Sequence, residues 1–192
     1  IMKKKNLSVK KKVHKFYSKK LDDPRIKRIY FNFKKKISSH ITNSFCVAVS
    51  GGVDSMALSF LAKCYSSEYN KKVYFFIVDH KLRKNSTSEA KLVKKKLKQF
   101  QISSNILTIK KVNKKINLQS FARDSRYKLI INHCLTKNID IILTAHHKDD
   151  LIENFFIRFL RGSGLKGLVS FDKNVINYNG IKVIRPFLST SK

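Results

Sequence analysis

Tryptophan is absent from this 192-residue sequence, and proline occurs only twice, glycine six times and cysteine three times. So little proline and glycine excludes collagen-like and Pro/Gly-rich low-complexity chains and leaves few breaks between regular elements. The cysteines, Cys46, Cys64 and Cys134, stand singly in apolar stretches with no CxxC. That spacing argues against a structural zinc, a cysteine-held iron–sulfur cluster or a disulfide framework, and it fits small core residues in a reducing, cytoplasmic setting. No apolar run approaches the roughly 20 residues of a membrane span, so no membrane is expected as a partner. Acid is also scarce: 12 Asp and Glu oppose 42 Lys and Arg, a net charge of +30.

That charge points to a polyanionic partner, most simply nucleic acid. A lysine excess accompanied by abundant Asn, Ile and Phe equally fits a compositionally biased genome. The eight arginines say more, because the planar guanidinium suits phosphate and carboxylate, and five of them (Arg123, Arg126, Arg158, Arg161, Arg185) follow residue 120. The length and the 42% hydrophobic content suit one domain that buries roughly 70% of its unfolded surface.

Residues 1–40 hold fifteen Lys or Arg against Asp22 and Asp23. Apolar positions Val13, Phe16 and Tyr17, then Ile26, Ile29, Tyr30, Phe33 and Ile37, predict one or two amphipathic helices broken near Asp23-Pro24. The stretch reads as a basic N-terminal extension, with the domain proper at 41–192. Its lysine dominance and sparse serine set it apart from an organelle transit peptide.

Beyond residue 40 the pattern alternates. Cys46–Val49, Lys72–Asp79, Ile102–Ile109 and Ile139–Leu143 read as buried strands, and helical periodicity follows each of the first three until Phe100 or Thr136. A capping signature at Ser86-Thr87-Ser88-Glu89 opens the second of these helices. Another helix begins after Leu143, and Val175–Ile184, split by Asn179-Gly180, reads as a hairpin. The expected fold is therefore α/β, a doubly wound parallel sheet of Rossmann-like type with ligands outside the strand carboxyl ends.

Three segments follow such ends. In Ser50-Gly51-Gly52-Val53-Asp54-Ser55 the glycines permit a tight turn, and the first amides of the next helix face one point, which suits phosphate. Asp54 beside that anion site suits a Mg²⁺ ion bridging phosphates. Asp79-His80 is the second segment. The third, His146-His147-Lys148-Asp149-Asp150 with Glu153, concentrates groups able to hold magnesium or move a proton. No lysine follows the glycines at Walker spacing.

SGGVDS, VDHKLR, LQSFARDSRY, TAHHKDDLIENFFIRFLRGSGLKGL and IRPFL, in this order, resemble the tRNA(Ile)-lysidine synthases, a family of PP-loop ATP pyrophosphatases, over about residues 44–189. The resemblance implies a PP-loop ATPase fold and ATP-dependent ligation of free L-lysine to C2 of the wobble cytidine of tRNA(Ile), through an adenylated cytidine. It implies ATP contacts at Ser50, Gly51, Gly52, Val53, Asp54, Ser55, Asp79 and His80, with Mg²⁺ at Asp54 and Asp150. Catalysis would fall to Asp54, Asp149, Glu153 and Arg123, and substrate or phosphate contacts to His146, His147, Arg126, Arg161 and Arg185. Partners would be tRNA(Ile) and lysine, with a homodimer admitted. Members of that family continue past the Arg-Pro motif, so a chain ending at Lys192 reads as a fragment or reduced form. Alternatives are another PP-loop enzyme, such as a tRNA thiolase, or a non-catalytic RNA-binding module.

Overall fold

A computed structural model describes residues 17–109, 118–162, 175–178 and 180–190, with the side chains of 118–123 excepted. Helix α1 spans Pro24–Ile37, α2 Val53–Tyr69, α3 Ser86–Gln99, α4 Leu118–Leu135 and α5 Lys148–Leu160. Strands β1 (Ser44–Val49), β2 (Lys72–Asp79), β3 (Asn105–Thr108), β4 (Ile141–Leu143), β5 (Val175–Tyr178) and β6 (Ile181–Ile184) form one sheet in the order β3-β2-β1-β4-β6-β5. β1, β2, β3, β4 and β6 run parallel, and only the edge strand β5 is antiparallel to its neighbour. The expected hairpin is present. Gly180 takes φ +84°, a left-handed value suited to glycine, and its N–H donates to Asn177 Oδ1 at 3.0 Å.

The strands carry apolar residues on both faces because helices cover both. Phe45, Val47, Val49, Phe75, Ile77, Ile141 and Leu143 join one core with Leu58, Leu61, Ala62 and Tyr65 of α2 and Ala90 and Leu97 of α3. On the other face, Cys46, Phe76 and Ile142 meet Ile130, Ile131 and Cys134 of α4. All three cysteines are buried free thiols, as their apolar context predicts.

The boundary expected at residue 40 does not hold among the described residues. Asp23 caps α1 by accepting from the amides of Arg25 and Ile26, with Pro24 opening the first turn. The helix then buries Tyr30, Phe33 and Ile37 in the same core as α2. Tyr30 Oη and Lys34 Nζ both donate to the Glu68 carboxylate. Lys36 Nζ reaches residues some 150 positions later, donating to the Pro186 carbonyl at 2.7 Å and to Ser189 Oγ. The apolar stripe was legible, but the charge of the segment suggested a separate extension; Tyr17, Tyr30, Phe33 and Ile37 instead pack into the domain core, and residues 1–16 lie outside the described residues. No helix among the described residues is long and apolar enough to cross a membrane.

Candidate functional site

The strand order reverses between β1 and β4: from β1 the chain steps outward through β2 to β3, and it then returns to β4 on the opposite side. A crevice at the carboxyl ends of strands flanking such a switch point is the favoured ligand site of open α/β sheets. Here it is a cleft of about 350 Å³, lined by Ser50, Gly52, Asp54 and Ser55 after β1, His80 after β2, Arg126 and Tyr127 of α4, and Thr144, Ala145, His146 and Asp150 after β4. All three segments singled out in the sequence reach it.

The β1–α2 loop is held by its own hydrogen bonds. Ser55 Oγ accepts from the Gly51 amide at 3.0 Å and donates to the Gly52 carbonyl at 2.9 Å, while Ser50 Oγ lies 3.1 Å from it. Ser55 is 3% exposed, so its hydroxyl shapes the loop from beneath. Gly51 has φ +91°, and a Cβ there would stand 2.4 Å from Val93 Cγ2. Gly52 is the N-cap of α2 and offers no side-chain cap, which leaves the first amides of the helix for a ligand.

The facing wall is built on α5. His147 is its N-cap: Nδ1 accepts from the Asp149 amide at 3.2 Å, and Asp150 Oδ2 accepts the His147 amide at 2.8 Å in a reciprocal box. With Nδ1 acting as acceptor, the ring proton belongs on Nε2. That nitrogen lies 3.6 Å from Asp54 Oδ2 and 3.7 Å from Asp150 Oδ2, so His147 joins the two walls. His146 Nδ1 lies 3.0 Å from Thr144 Oγ1. Asp54 and Asp150 both line the cleft, and two carboxylates there are a donor set that fits Mg²⁺ completed by phosphate oxygens and water. Among the described residues no group of three or more ligands is preassembled for a metal.

Several expected contacts fall elsewhere. Asp79 is 2% exposed, and its carboxylate accepts from Ser86 Oγ (2.8 Å), Thr87 Oγ1 (2.6 Å) and the Lys81 amide (3.0 Å). Burial alone would push its pKa up, but those three hydrogen bonds outweigh it and hold the carboxyl below its usual value. Asp79 therefore shapes the turn before α3 and is not among the residues lining the cleft. Arg185 is 2% exposed and does not line the cleft, so it presents no open guanidinium to a phosphate. Arg126 does line the cleft but turns its guanidinium onto His80 Nε2, with Nε and Nη2 each at 3.2 Å. Arg161 is exposed at the opposite end of α5. Asp149 and Glu153 are outside the cleft lining, Glu153 exposed on the first turns of α5. The side chain of Arg123 and the Gly164–Gly167 loop lie outside the described residues.

Sequence reading missed Thr144 and Tyr127 as lining residues and the Asp54–His147 contact. Thr144 directly follows β4, so position alone could have found it; the contact joins residues 93 positions apart (147 less 54), and no local pattern encodes it.

A sequence profile described as PP-loop domain matches residues 24–192. The tRNA(Ile)-lysidine synthase of Orientia tsutsugamushi is 40% identical over 148 residues, 76% of this chain and 33% of that protein. The protein of the same name from Rickettsia rickettsii is 37% identical over 162 residues, 84% of this chain and 34% of the relative. The chain thus spans about a third of the length of these curated relatives. Among solved structures, a U34-tRNA thiolase from Methanococcus maripaludis, determined with its iron–sulfur cluster, superposes with TM-score 0.73 at 19% identity, covering 87% of this chain and 59% of its own. An NH3-dependent NAD synthetase from Campylobacter jejuni gives TM-score 0.52 at 16% identity, covering 87% and 67%. At these identities both likenesses establish the fold alone.

Proposed function

We propose, because the chain belongs to the PP-loop domain family, that its cleft binds ATP and adenylates the wobble cytidine of tRNA(Ile), whose C2 then accepts the amine of free L-lysine. The observation that carries this reading is the meeting of the Ser50–Ser55 loop with the α5 N-terminus at the strand-order switch, Asp54 lying 3.6 Å from His147. The tRNA and the lysine are suggested by the names of relatives that are 37–40% identical to this chain over 148 and 162 residues.

In this reading the open α2 amides and Ser50 hold the ATP phosphates, and Asp54 with Asp150 would hold Mg²⁺, which supplies charge neutralisation to the phosphates when bound. The C2 oxygen of cytidine attacks the α-phosphorus and pyrophosphate leaves. The lysine ε-amine then attacks C2 and AMP departs. That amine has a pKa near 10.4, so at pH 7 its deprotonation costs roughly 4.6 kcal/mol, enough to require a carboxylate to take the proton. Asp149 and Glu153 are assigned that task. Glu153 follows Asp150 by three positions, which makes them neighbours on the surface of α5.

The test separates the half-reactions. Asp54→Ala should abolish tRNA-dependent exchange of labelled pyrophosphate into ATP, whereas Glu153→Gln should keep exchange, lose lysine transfer and recover partly as pH rises. Equal loss of both in Glu153→Gln, with the fold intact, would move Glu153 to the magnesium side. A thiolase acting through cysteine is the weaker reading, since none of Cys46, Cys64 and Cys134 lines the cleft.

A further inference from the structure

Besides the phosphate loop, the cleft is lined by the apolar residues Ala48, Phe76, Ile77, Val78 and Ile130, and by the polar side chain of His80. His80 Nε2 faces Arg126 from two sides, Nε and Nη2 both at 3.2 Å. Arginine has five donors and no acceptor and does not lose its proton, so Nε2 must present its lone pair. The ring proton then resides on Nδ1. That atom is buried and has no hydrogen-bond partner among the described residues. A buried donor left in this condition is unfavourable unless a ligand supplies an acceptor.

We propose that Arg126 is a positioning residue that fixes His80 as the neutral Nδ1–H tautomer, and that this N–H is a reserved donor for an acceptor atom on the nucleoside half of the bound nucleotide. The inference rests on the ATP reading and replaces the expected role of Arg126 as a phosphate contact. The apolar surroundings suit a purine ring, and an uncharged donor suits its ring nitrogens or the ribose hydroxyls. A cationic imidazolium would be held against Arg126 at unfavourable cost. Burial and the Arg126 charge both lower the His80 pKa, and adjacent Asp79 opposes them without reversing the direction.

Two-bond ¹⁵N–¹H correlation spectra of the imidazole rings test the two halves separately. Without nucleotide, His80 should show a protonated Nδ1 and an unprotonated Nε2; the reverse pattern would overturn the tautomer assignment whatever the protein binds. On addition of ATP the Nδ1 signal should shift. Binding of ATP by calorimetry with an unmoved Nδ1 signal would overturn the donor role, whereas no binding at all would sink the ATP reading instead. Among variants, H80N places its amide N–H near the former Nδ1 and should bind ATP within about threefold of the parent. H80Q, which mimics Nε2, should bind about 3- to 10-fold more weakly. In R126M the ring should become a tautomer mixture, and R126K, which can still donate to Nε2, should restore the Nδ1–H form. A pure Nδ1–H ring in R126M would remove Arg126 from the proposal.

Discussion

The two walls of the cleft are built on different terms. The β1–α2 wall is rooted in the core: Ser55 is 3% exposed, Leu58 is fully buried, and Gly51 lies against Val93. The β4–α5 wall has a buried anchor in Thr144 and His147, yet α5 itself buries no residue, and Phe155, Phe156 and Phe159 are 44–60% exposed. A phosphate-binding loop must be rigid before its ligand arrives, because every donor ordered on binding detracts from affinity. Among the described residues the acid-bearing helix is held at its first turn, by the His147–Asp150 box, the contact with Asp54 and the Lys148 amide donating to the Thr190 carbonyl.

The contrast is broken most strongly at Gly51. Gly51→Ala combines a left-handed backbone with a 2.4 Å contact to Val93, so it should cost about 2–4 kcal/mol in urea denaturation and remove ATP binding. Gly52→Ala, whose Cβ would meet nothing closer than Ser50 Oγ at 3.7 Å, should cost only about 0.5–1 kcal/mol, the difference between Gly and Ala at an N-cap.

Next in size is Asp79→Asn, which disturbs three hydrogen bonds to a buried carboxylate and should cost about 1–3 kcal/mol. The pH dependence has a definite sign. The folded pKa is lowered, so between that value and the ordinary carboxylate value near 3.9 the unfolded chain binds more protons, and stability rises with pH. The contribution is complete above that window and lost as pH falls through the folded pKa. Acid unfolding of Asp79→Asn should lack this component; an unchanged acid limb would remove Asp79 as its source.

Replacing His147 with Ala removes the cap of α5 and should cost about 1 kcal/mol. Increased amide hydrogen exchange should be confined to the first turn of α5, while the Ser50–Ser55 amides stay protected. Loss of protection on both walls would show that His147 supports the phosphate loop as well. The smallest effect is expected at Phe159→Ser, about 0.5 kcal/mol or less by urea midpoint, because this side chain is 60% exposed. A larger loss would mean that α5 is covered in solution.

Legibility followed the physics of each part. β1 and β2 could be read directly because both faces are covered, which gives unbroken apolar runs such as Tyr74–Val78. Their order in the sheet was not readable, because nothing local says that β6 lies beside β4 and leaves β5 at the edge. In α1, the stripe Tyr30, Phe33 and Ile37 gave the helix correctly, while Lys34, Lys35 and Lys36 in its last turn suggested a detached leader. Lysines there answer the helix dipole and leave the buried face intact. At the site, the glycine loop was legible because its conformation depends on neighbours in sequence. The Arg126–His80 contact was not, since 46 positions separate the partners.

The Lys36 bridge to Pro186 also has a consequence for the order in which the protein is made. Helix α1 leaves the ribosome early, but its partner carbonyl is 150 residues later. At roughly 5–20 residues per second, the helix waits about 8–30 s before the bridge can close. During that interval Phe33 and Lys36 face a wall that does not yet exist: the small cavity they share with Asp54 and His147 is completed by Pro186, Phe187 and Thr190. Nascent chains stalled short of residue 186 should therefore leave the back of the Asp54 site open to protease, and it should close only when the segment 186–190 has emerged.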